Sequence, residues 1–81
     1  MLRIQTVELD WNAFCERFAS LMDELLPVLR TFDEDTVAHR TENWSLLPRW
    51  DENELVFELY SDDGQNETQY VVSGVPWGTL A

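Results

Sequence analysis

The chain has 81 residues, of which 44% are hydrophobic and 12% are aromatic, and its sixteen Asp and Glu face five Arg and no Lys, giving a formal charge of −11. This length suffices for one domain, and the aromatic content argues against intrinsic disorder. The charge argues against direct nucleic-acid binding, which requires Lys and Arg to neutralise phosphates, and it favours a partner with a basic surface.

The negative charge is unevenly distributed along the sequence. Residues 1–30 contain five acidic and three basic side chains, whereas residues 31–81 contain eleven acidic and two basic ones. The C-terminal part therefore generates most of the electrostatic field. Solubility alone would also favour an acidic surface, and a GC-rich genome or a halophilic source would account for the missing lysine. These alternatives to a functional role of the charge stay open.

The first 29 residues predict a strand followed by a helix. Residues 2–9 are rich in β-forming side chains, which indicates a strand, and Asp10 suits a helix N-cap. Apolar residues then recur at helical spacing, which predicts one long amphipathic helix over residues 11–26. Pro27 should end or kink it because proline lacks the amide N–H. The apolar stripe, expected in the core, consists of Trp11, Phe14, Cys15, Phe18, Leu21, Met22, Leu25, Leu26 and Leu29.

Residues 33–50 are ambiguous. The acidic run at residues 33–35 could begin a short helix, because carboxylates favour helix N-termini. Residues 36–41 could instead form a strand, which is the alternative we favour slightly. Residues 46–49 are predicted to be a loop, since Pro48 cannot donate a hydrogen bond to a β-ladder. Tryptophans flank this loop, and both a core and an interface position suit them.

Residues 54–73 predict a β-hairpin. In residues 54–60 the apolar Leu55, Phe57 and Leu59 alternate with Glu54, Val56, Glu58 and Tyr60, as in a strand with one buried face. Residues 61–66 contain Asp-Gly, a typical hairpin turn, and residues 68–73 form the returning strand. Residues 74–81 are predicted to be irregular, although Trp77 should pack on the rest of the domain.

These elements predict the fold class. We expect a single α+β domain over residues 1–81, in which one long amphipathic helix packs on a small antiparallel sheet. The order is strand, helix, an uncertain strand and the two strands of the hairpin.

The sequence contains few residues that support catalysis or metal binding. With one cysteine and one histidine, it cannot supply a zinc cluster or an internal disulfide. Cys15 and His39 could pair as a nucleophile and base, but the place of Cys15 on the apolar stripe favours packing. We therefore expect no enzyme activity and no cofactor. A reducing, cytoplasmic location follows from the cysteine count, and no apolar segment is long enough to span a membrane.

The acidic residues near the hairpin motivate the functional hypothesis. Asp51, Glu52, Glu54 and Glu58 lead into or stand on the solvent side of one predicted strand, with further acids at the adjoining turn. Strand residues two apart project about 6.6–6.8 Å from one another, which approximates two nucleotide steps of about 3.4 Å. If such carboxylates converge on one patch, they could imitate a phosphate backbone.

The leading hypothesis is a small acidic inhibitor that blocks the basic, nucleic-acid-binding groove of a partner protein, as a phage-type anti-defence protein or DNA mimic does. An antitoxin or immunity protein that neutralises a basic toxin is the alternative. A structural subunit or chaperone binding through apolar surface is the third, and a monomer or a homodimer fits all three. The predicted partner-binding residues are Asp33, Glu34, Asp35, Trp44, Trp50, Asp51, Glu52, Glu54, Glu58, Asp62, Asp63 and Glu67.

Overall fold

The structure, a computed structural model, describes residues 3–60 and 66–80, and its five strands form one sheet in the order β1-β5-β4-β3-β2. The predicted hairpin turn at residues 61–65 lies outside the described residues. The strands are β1 Arg3–Asp10, β2 His39–Arg40, β3 Trp44–Arg49, β4 Glu54–Tyr60 and β5 Asn66–Ser73. The helices are α1 Trp11–Arg17, α2 Met22–Arg30 and α3 Trp77–Leu80, with 3₁₀ turns at Ala19–Leu21 and Trp50–Glu52.

The prediction of an antiparallel sheet is wrong, because the sheet is mixed. β1 runs parallel to β5, with Arg3 beside Asn66 and Asp10 beside Ser73, while the remaining pairs are antiparallel. After β1, the helices α1 and α2 lead the chain to the opposite edge of the sheet, where β2 lies. The strands β3, β4 and β5 then return toward β1, and β5 pairs with β1 in the same direction. Alternation of side chains indicates which face is buried but carries no information about strand direction.

The prediction of one long helix is also wrong, because the backbone leaves the helical conformation at Phe18, with φ −113° and ψ 34°. This break places the Phe18 ring against Phe57 and Tyr70, at centroid distances of 5.1 and 4.9 Å. Tertiary packing therefore overrides the continuous helical pattern. Pro27 does not end the helix but lies inside α2, where it costs one backbone hydrogen bond. The predicted N-cap is confirmed, since Asp10 Oδ1 accepts the Ala13 N–H at 2.7 Å.

Three further boundaries differ from the prediction. Residues 46–49 belong to β3 instead of a loop, although Pro48 lies among them. Since β2 pairs only with Ser45 and Leu46, β3 is an edge strand at Pro48, where the missing N–H is tolerated. The strand predicted for residues 36–41 is reduced to the two residues of β2, and the C-terminal segment forms the one-turn helix α3.

The core lies between the helices and one face of the sheet. Its centre is Phe57, which is fully buried and contacts the rings of Phe14, Phe18, Trp44 and Tyr70. Leu55 and Phe57 are fully buried as predicted, but burial does not alternate along β4, because Val56 between them is only 8% exposed. The buried core consists of Phe14, Phe18, Leu25, Leu29, Trp44, Leu46, Leu55, Phe57, Tyr70, Val72 and Val75.

Among the described residues, no helix is long and apolar enough to cross a membrane.

Candidate functional site

The helices pack on one face of the sheet and leave the other face without a helical layer in the described part of the chain. Phe57 and Tyr70, which face the helices, are neighbours across β4 and β5. Because side chains alternate along a strand, Val56, Glu58 and their neighbours project from the opposite side. We call this side the open sheet face; it comprises Ile4, Thr6, Glu8, Arg40, Ser45, Leu47, Arg49, Glu54, Val56, Glu58, Tyr60, Glu67, Gln69 and Val71.

The open sheet face has a small apolar centre. Leu47, Val56 and Val71 stand side by side on β3, β4 and β5, and Val56 is only 8% exposed. Next to them, the Tyr60 hydroxyl donates a hydrogen bond to Ser45 Oγ at 3.0 Å, and Ser45 is fully buried. The flanking side chains therefore shield the middle of this face from water, although none of the described helices lies on it.

Four carboxylates surround this centre, and they come from three adjacent strands. Glu54 and Glu58 stand on β4, Glu67 on β5 and Glu8 on β1. Glu8 shares its cross-strand row with Val71 and Val56, so it lies level with the midpoint between Glu54 and Glu58. From strand geometry, adjacent members of this set have Cα atoms about 8–14 Å apart.

The acids of residues 51–58 do not all stand on one strand. Glu52 lies in the 3₁₀ turn before β4 and not on the strand, because Asn53 takes the left-handed conformation, with φ 53°, between the turn and β4. Glu54 and Glu58 are therefore separated by about 13–14 Å with Val56 between them. This spacing is twice the value that motivated the comparison with a phosphate backbone.

Arg49 links the two carboxylates at one end of β4. Its guanidinium lies 2.8 Å from Glu52 Oε2 and 3.3 Å from Glu54 Oε1. Nevertheless the pKa of Glu54 is raised, first by its side-chain hydrogen bond with Glu52, then by desolvation and by the charges of Glu52 and Glu8, while Arg49 lowers it. One cation does not offset the repulsion within this group of acids, so the protonated form of Glu54 is favoured relative to an isolated glutamate.

We expect the raised pKa of Glu54 to be visible in a carboxyl NMR titration. Glu54 should titrate above the ordinary glutamate value of about 4.3, and Glu52→Gln should bring its pKa back toward that value. The folded protein then binds more protons than the unfolded chain between the two pKa values. The stabilising contribution of Glu54 is complete below the unfolded pKa and is lost as pH rises through the folded pKa. Glu54→Gln should remove this component from the pH dependence of unfolding; an unchanged profile would contradict the assignment.

A second feature is a cleft of about 1090 Å³ at the end of the molecule where β3 passes into β4. Phe32, Trp50 and Trp77 line it, and we call it the aromatic cleft. The two indoles lie 4.5 Å apart between centroids and are inclined by 47°. Trp50 Nε1–H donates to the Thr36 carbonyl oxygen at 3.3 Å. The Trp77 indole nitrogen is buried and has no hydrogen-bond partner among the described residues.

Acidic residues form the rim of the aromatic cleft. Asp33, Glu34, Asp51 and Glu52 line it together with one base, Arg49. Asp33 is engaged within its own turn, where Oδ1 accepts the Asp35 N–H at 3.0 Å, and Glu52 is paired with Arg49. Glu34 and Asp51 are exposed and make no ion pair or side-chain hydrogen bond within the described residues.

The structure therefore divides the predicted partner-binding residues among several places. Glu54, Glu58 and Glu67 stand on the open sheet face, and Asp33, Glu34, Trp50, Asp51 and Glu52 line the aromatic cleft, with Asp35 in the adjoining turn. Trp44 is 8% exposed and packs on Phe57, so its interpretation as an interface residue is corrected to core. Asp62 and Asp63 lie outside the described residues.

Sequence reasoning missed four residues of these two surfaces. Glu8 joins the open sheet face because of the parallel pairing of β1, which no local pattern indicates. Phe32 and Trp77 meet in the aromatic cleft at a centroid distance of 6.4 Å; of these two, only Trp77 had been expected to pack on the rest of the domain. Arg49 bridges the two surfaces, since it lines the cleft and also pairs with Glu54.

The candidate pair of Cys15 and His39 is not assembled. α1, which carries Cys15, contacts β1 and β5, whereas His39 lies on β2 at the opposite edge of the sheet. With strands about 4.8 Å apart, the two edges are about 19 Å from each other. Burial also raises the pKa of the Cys15 thiol, which disfavours the nucleophilic thiolate.

Within residues 3–60 and 66–80, no group of three or more His, Cys, Asp or Glu side chains could hold a metal ion. Comparisons of the chain with family models, with curated proteins and with solved structures found no match.

Proposed function

We propose that this protein binds a basic surface of a partner protein through the open sheet face and thereby blocks the groove in which that partner holds nucleic acid. The observation that carries the proposal is the placement of Glu8, Glu54, Glu58 and Glu67 around an apolar centre, on a sheet face that no helix of residues 3–60 and 66–80 covers. A protein surface that is apolar in the middle and charged at the rim is typical of interfaces.

The charges of this face support a basic partner. Arg49 is occupied by Glu52 and Glu54. Arg40 shares a cross-strand row with Ser45 and Glu58, but among the described residues it makes no ion pair with Glu58. Three of the four carboxylates thus have no ion pair among the described residues. A positive groove on a partner would relieve their mutual repulsion, and opposite fields would accelerate the encounter.

The geometry supports occupation of a basic groove more strongly than imitation of a regular phosphate backbone, because the carboxylates are spaced irregularly across three strands. A phage-type anti-defence inhibitor and an antitoxin or immunity protein would use the same face in the same way. The genetic neighbourhood separates them, since an adjacent toxin gene would support the antitoxin.

The test compares two variants of identical net charge. Glu8→Lys/Glu58→Lys reverses two charges on the open sheet face, whereas Glu16→Lys/Glu24→Lys reverses two exposed charges on the helical side. Both variants and the wild type are used as bait in an extract of the native host. The expected result is a basic partner that the helical-side variant retains and the sheet-face variant loses, with a reduction in affinity of at least about tenfold.

Salt dependence and competition complete the test. The affinity for the captured partner should fall steeply as ionic strength rises, because the contacts are between exposed charges. Nucleic acid should compete for the partner if its binding groove is blocked. Equal retention by both variants, or an affinity that does not change with salt, would refute the proposal.

A further inference from the structure

The aromatic cleft combines two kinds of surface that rarely suit the same ligand. The rings of Phe32, Trp50 and Trp77 attract an apolar or planar group, whereas Glu34 and Asp51 at the rim carry uncompensated negative charge. A hydrophobic side chain would leave these carboxylates partly desolvated without a partner. A phosphate or carboxylate would be repelled. The two surfaces together favour a cation with a planar or apolar body.

Arginine fits this cleft better than lysine or a methylated ammonium group. Its guanidinium is planar, stacks on aromatic faces and offers several donors in a fork that suits carboxylates. Methylated ammonium groups bind in aromatic boxes that enclose them. Here the ring centroids of Trp50 and Trp77 are 4.5 Å apart and the rings are inclined by 47°, so they line the open cleft as a platform and leave no enclosed space between them.

The platform is fixed before any ligand arrives. Trp50 is held by Trp77 on its ring and by the hydrogen bond from its Nε1–H to the Thr36 carbonyl. A side chain fixed in this way loses little conformational entropy when it binds a ligand. Trp77 is held in turn by Phe32, which follows directly after α2 and its cap at Thr31.

We propose that the aromatic cleft binds the side chain of an arginine on the basic partner, with the guanidinium stacked on the tryptophan platform and its N–H groups donating to Glu34 and Asp51. This inference rests on the proposed function, because it assumes a basic protein as the partner. It adds a specific anchor to an interface that would otherwise depend on general charge attraction.

The position of the cleft supports this combination. Arg49 belongs to both surfaces, so one partner can cover the open sheet face and reach into the cleft. The seven residues of β4 span about 24 Å and four strands span about 19 Å, which gives the face a projected area of about 450 Å². A stable interface buries about 800 Å² on each partner. The partner therefore needs contacts beyond the sheet face, and the adjoining cleft provides them.

The test uses three acetylated and amidated tripeptides, Gly-Arg-Gly, Gly-Lys-Gly and Gly-citrulline-Gly, titrated into the whole protein. Citrulline keeps the shape of arginine but lacks its charge. The indole N–H resonances of Trp50 and Trp77 report binding in the NMR spectrum. The arginine peptide should shift them and bind at least about threefold more tightly than the lysine peptide, and the citrulline peptide should bind most weakly.

Isosteric variants supply the control. Glu34→Gln/Asp51→Asn should weaken binding of the arginine peptide severalfold, while Asp23→Asn/Glu24→Gln, which removes two exposed acids on α2, should leave it unchanged. The proposal is overturned if the arginine peptide does not shift the indole resonances, if lysine or citrulline binds equally well, or if the rim variant binds normally.

Failure of this inference is distinguishable from failure of the proposed function. Loss of the partner with Glu8→Lys/Glu58→Lys, together with an unresponsive cleft, would retain the sheet-face interaction and reject the arginine anchor. An arginine-specific cleft together with an unaffected sheet-face variant would reject the proposed function.

Discussion

Replacing Phe57 with alanine is expected to lower the free energy of unfolding by about 3–5 kcal/mol. Phe57 is fully buried at the centre of the core, where four other rings lie within 6.3 Å of it between centroids. The alanine would remove the contacts of the ring and leave a cavity that the two β-strands and the broken helix cannot fill. Domains are stable by only about 5–15 kcal/mol, so this substitution should bring the protein close to unfolding.

Urea denaturation followed by tryptophan fluorescence measures this effect. Phe57→Leu should cost less and provides a folded variant if the alanine variant does not fold. Val37→Ala is the matched control, because Val37 is 82% exposed and its loss should change stability by no more than about 0.5 kcal/mol. A loss below about 1 kcal/mol for Phe57→Ala would contradict the position of this ring at the centre of the core.

Replacing Val71 with proline is expected to be the second most disruptive change. Val71 lies in β5, which has neighbours on both sides, Glu8 of β1 and Val56 of β4. Proline removes an N–H that donates a hydrogen bond to one of these strands. The carbonyl that loses this donor costs about 1–3 kcal/mol of stability, and the steric conflict of the proline ring adds to this cost. Unfolding experiments should show this loss, and β1 amides should lose protection from hydrogen exchange.

Two controls isolate the backbone effect of this substitution. Val71→Ala removes the side chain without removing the N–H and should be milder. Pro48→Val adds an N–H where, among the described residues, β3 has no partner strand on its outer side, because its pairing with β2 does not extend beyond Leu46. This substitution should therefore be nearly neutral. If Val71→Pro is no more destabilising than Val71→Ala, β5 is not an interior strand paired on both sides.

These two substitutions also bear on the candidate site. Phe57 packs β4 against the core, and Val71 lies in β5, which pairs with both β1 and β4. Through this pairing β5 brings Glu8 of β1 toward Glu54 and Glu58. The raised pKa of Glu54 depends partly on the charge of Glu8. Any variant that detaches β1 should therefore lower the pKa of Glu54 as well as the stability, which connects the parallel strand pair directly to the electrostatics of the open sheet face.

The sequence by itself determined those features that depend on neighbours along the chain. The alternation in residues 54–60 identified β4 and the side on which Glu54 and Glu58 stand, because a strand places successive residues on opposite faces. Asp10 could be recognised as an N-cap, because the side chain and the amide that it binds are three residues apart. The spacing of Phe14 and Phe18 indicated a buried helical face.

Tertiary structure alone decided what depends on residues distant in sequence. The helix breaks at Phe18 because the Phe18 ring packs on Phe57 and Tyr70. No residue type near position 18 indicates this break in the sequence. The parallel pairing of β1 with β5 joins strands more than 60 residues apart, and it adds Glu8 to the open sheet face. The aromatic cleft likewise forms where Trp50 meets Trp77. Local propensity cannot encode such contacts, because their energy exists only once the whole chain has folded.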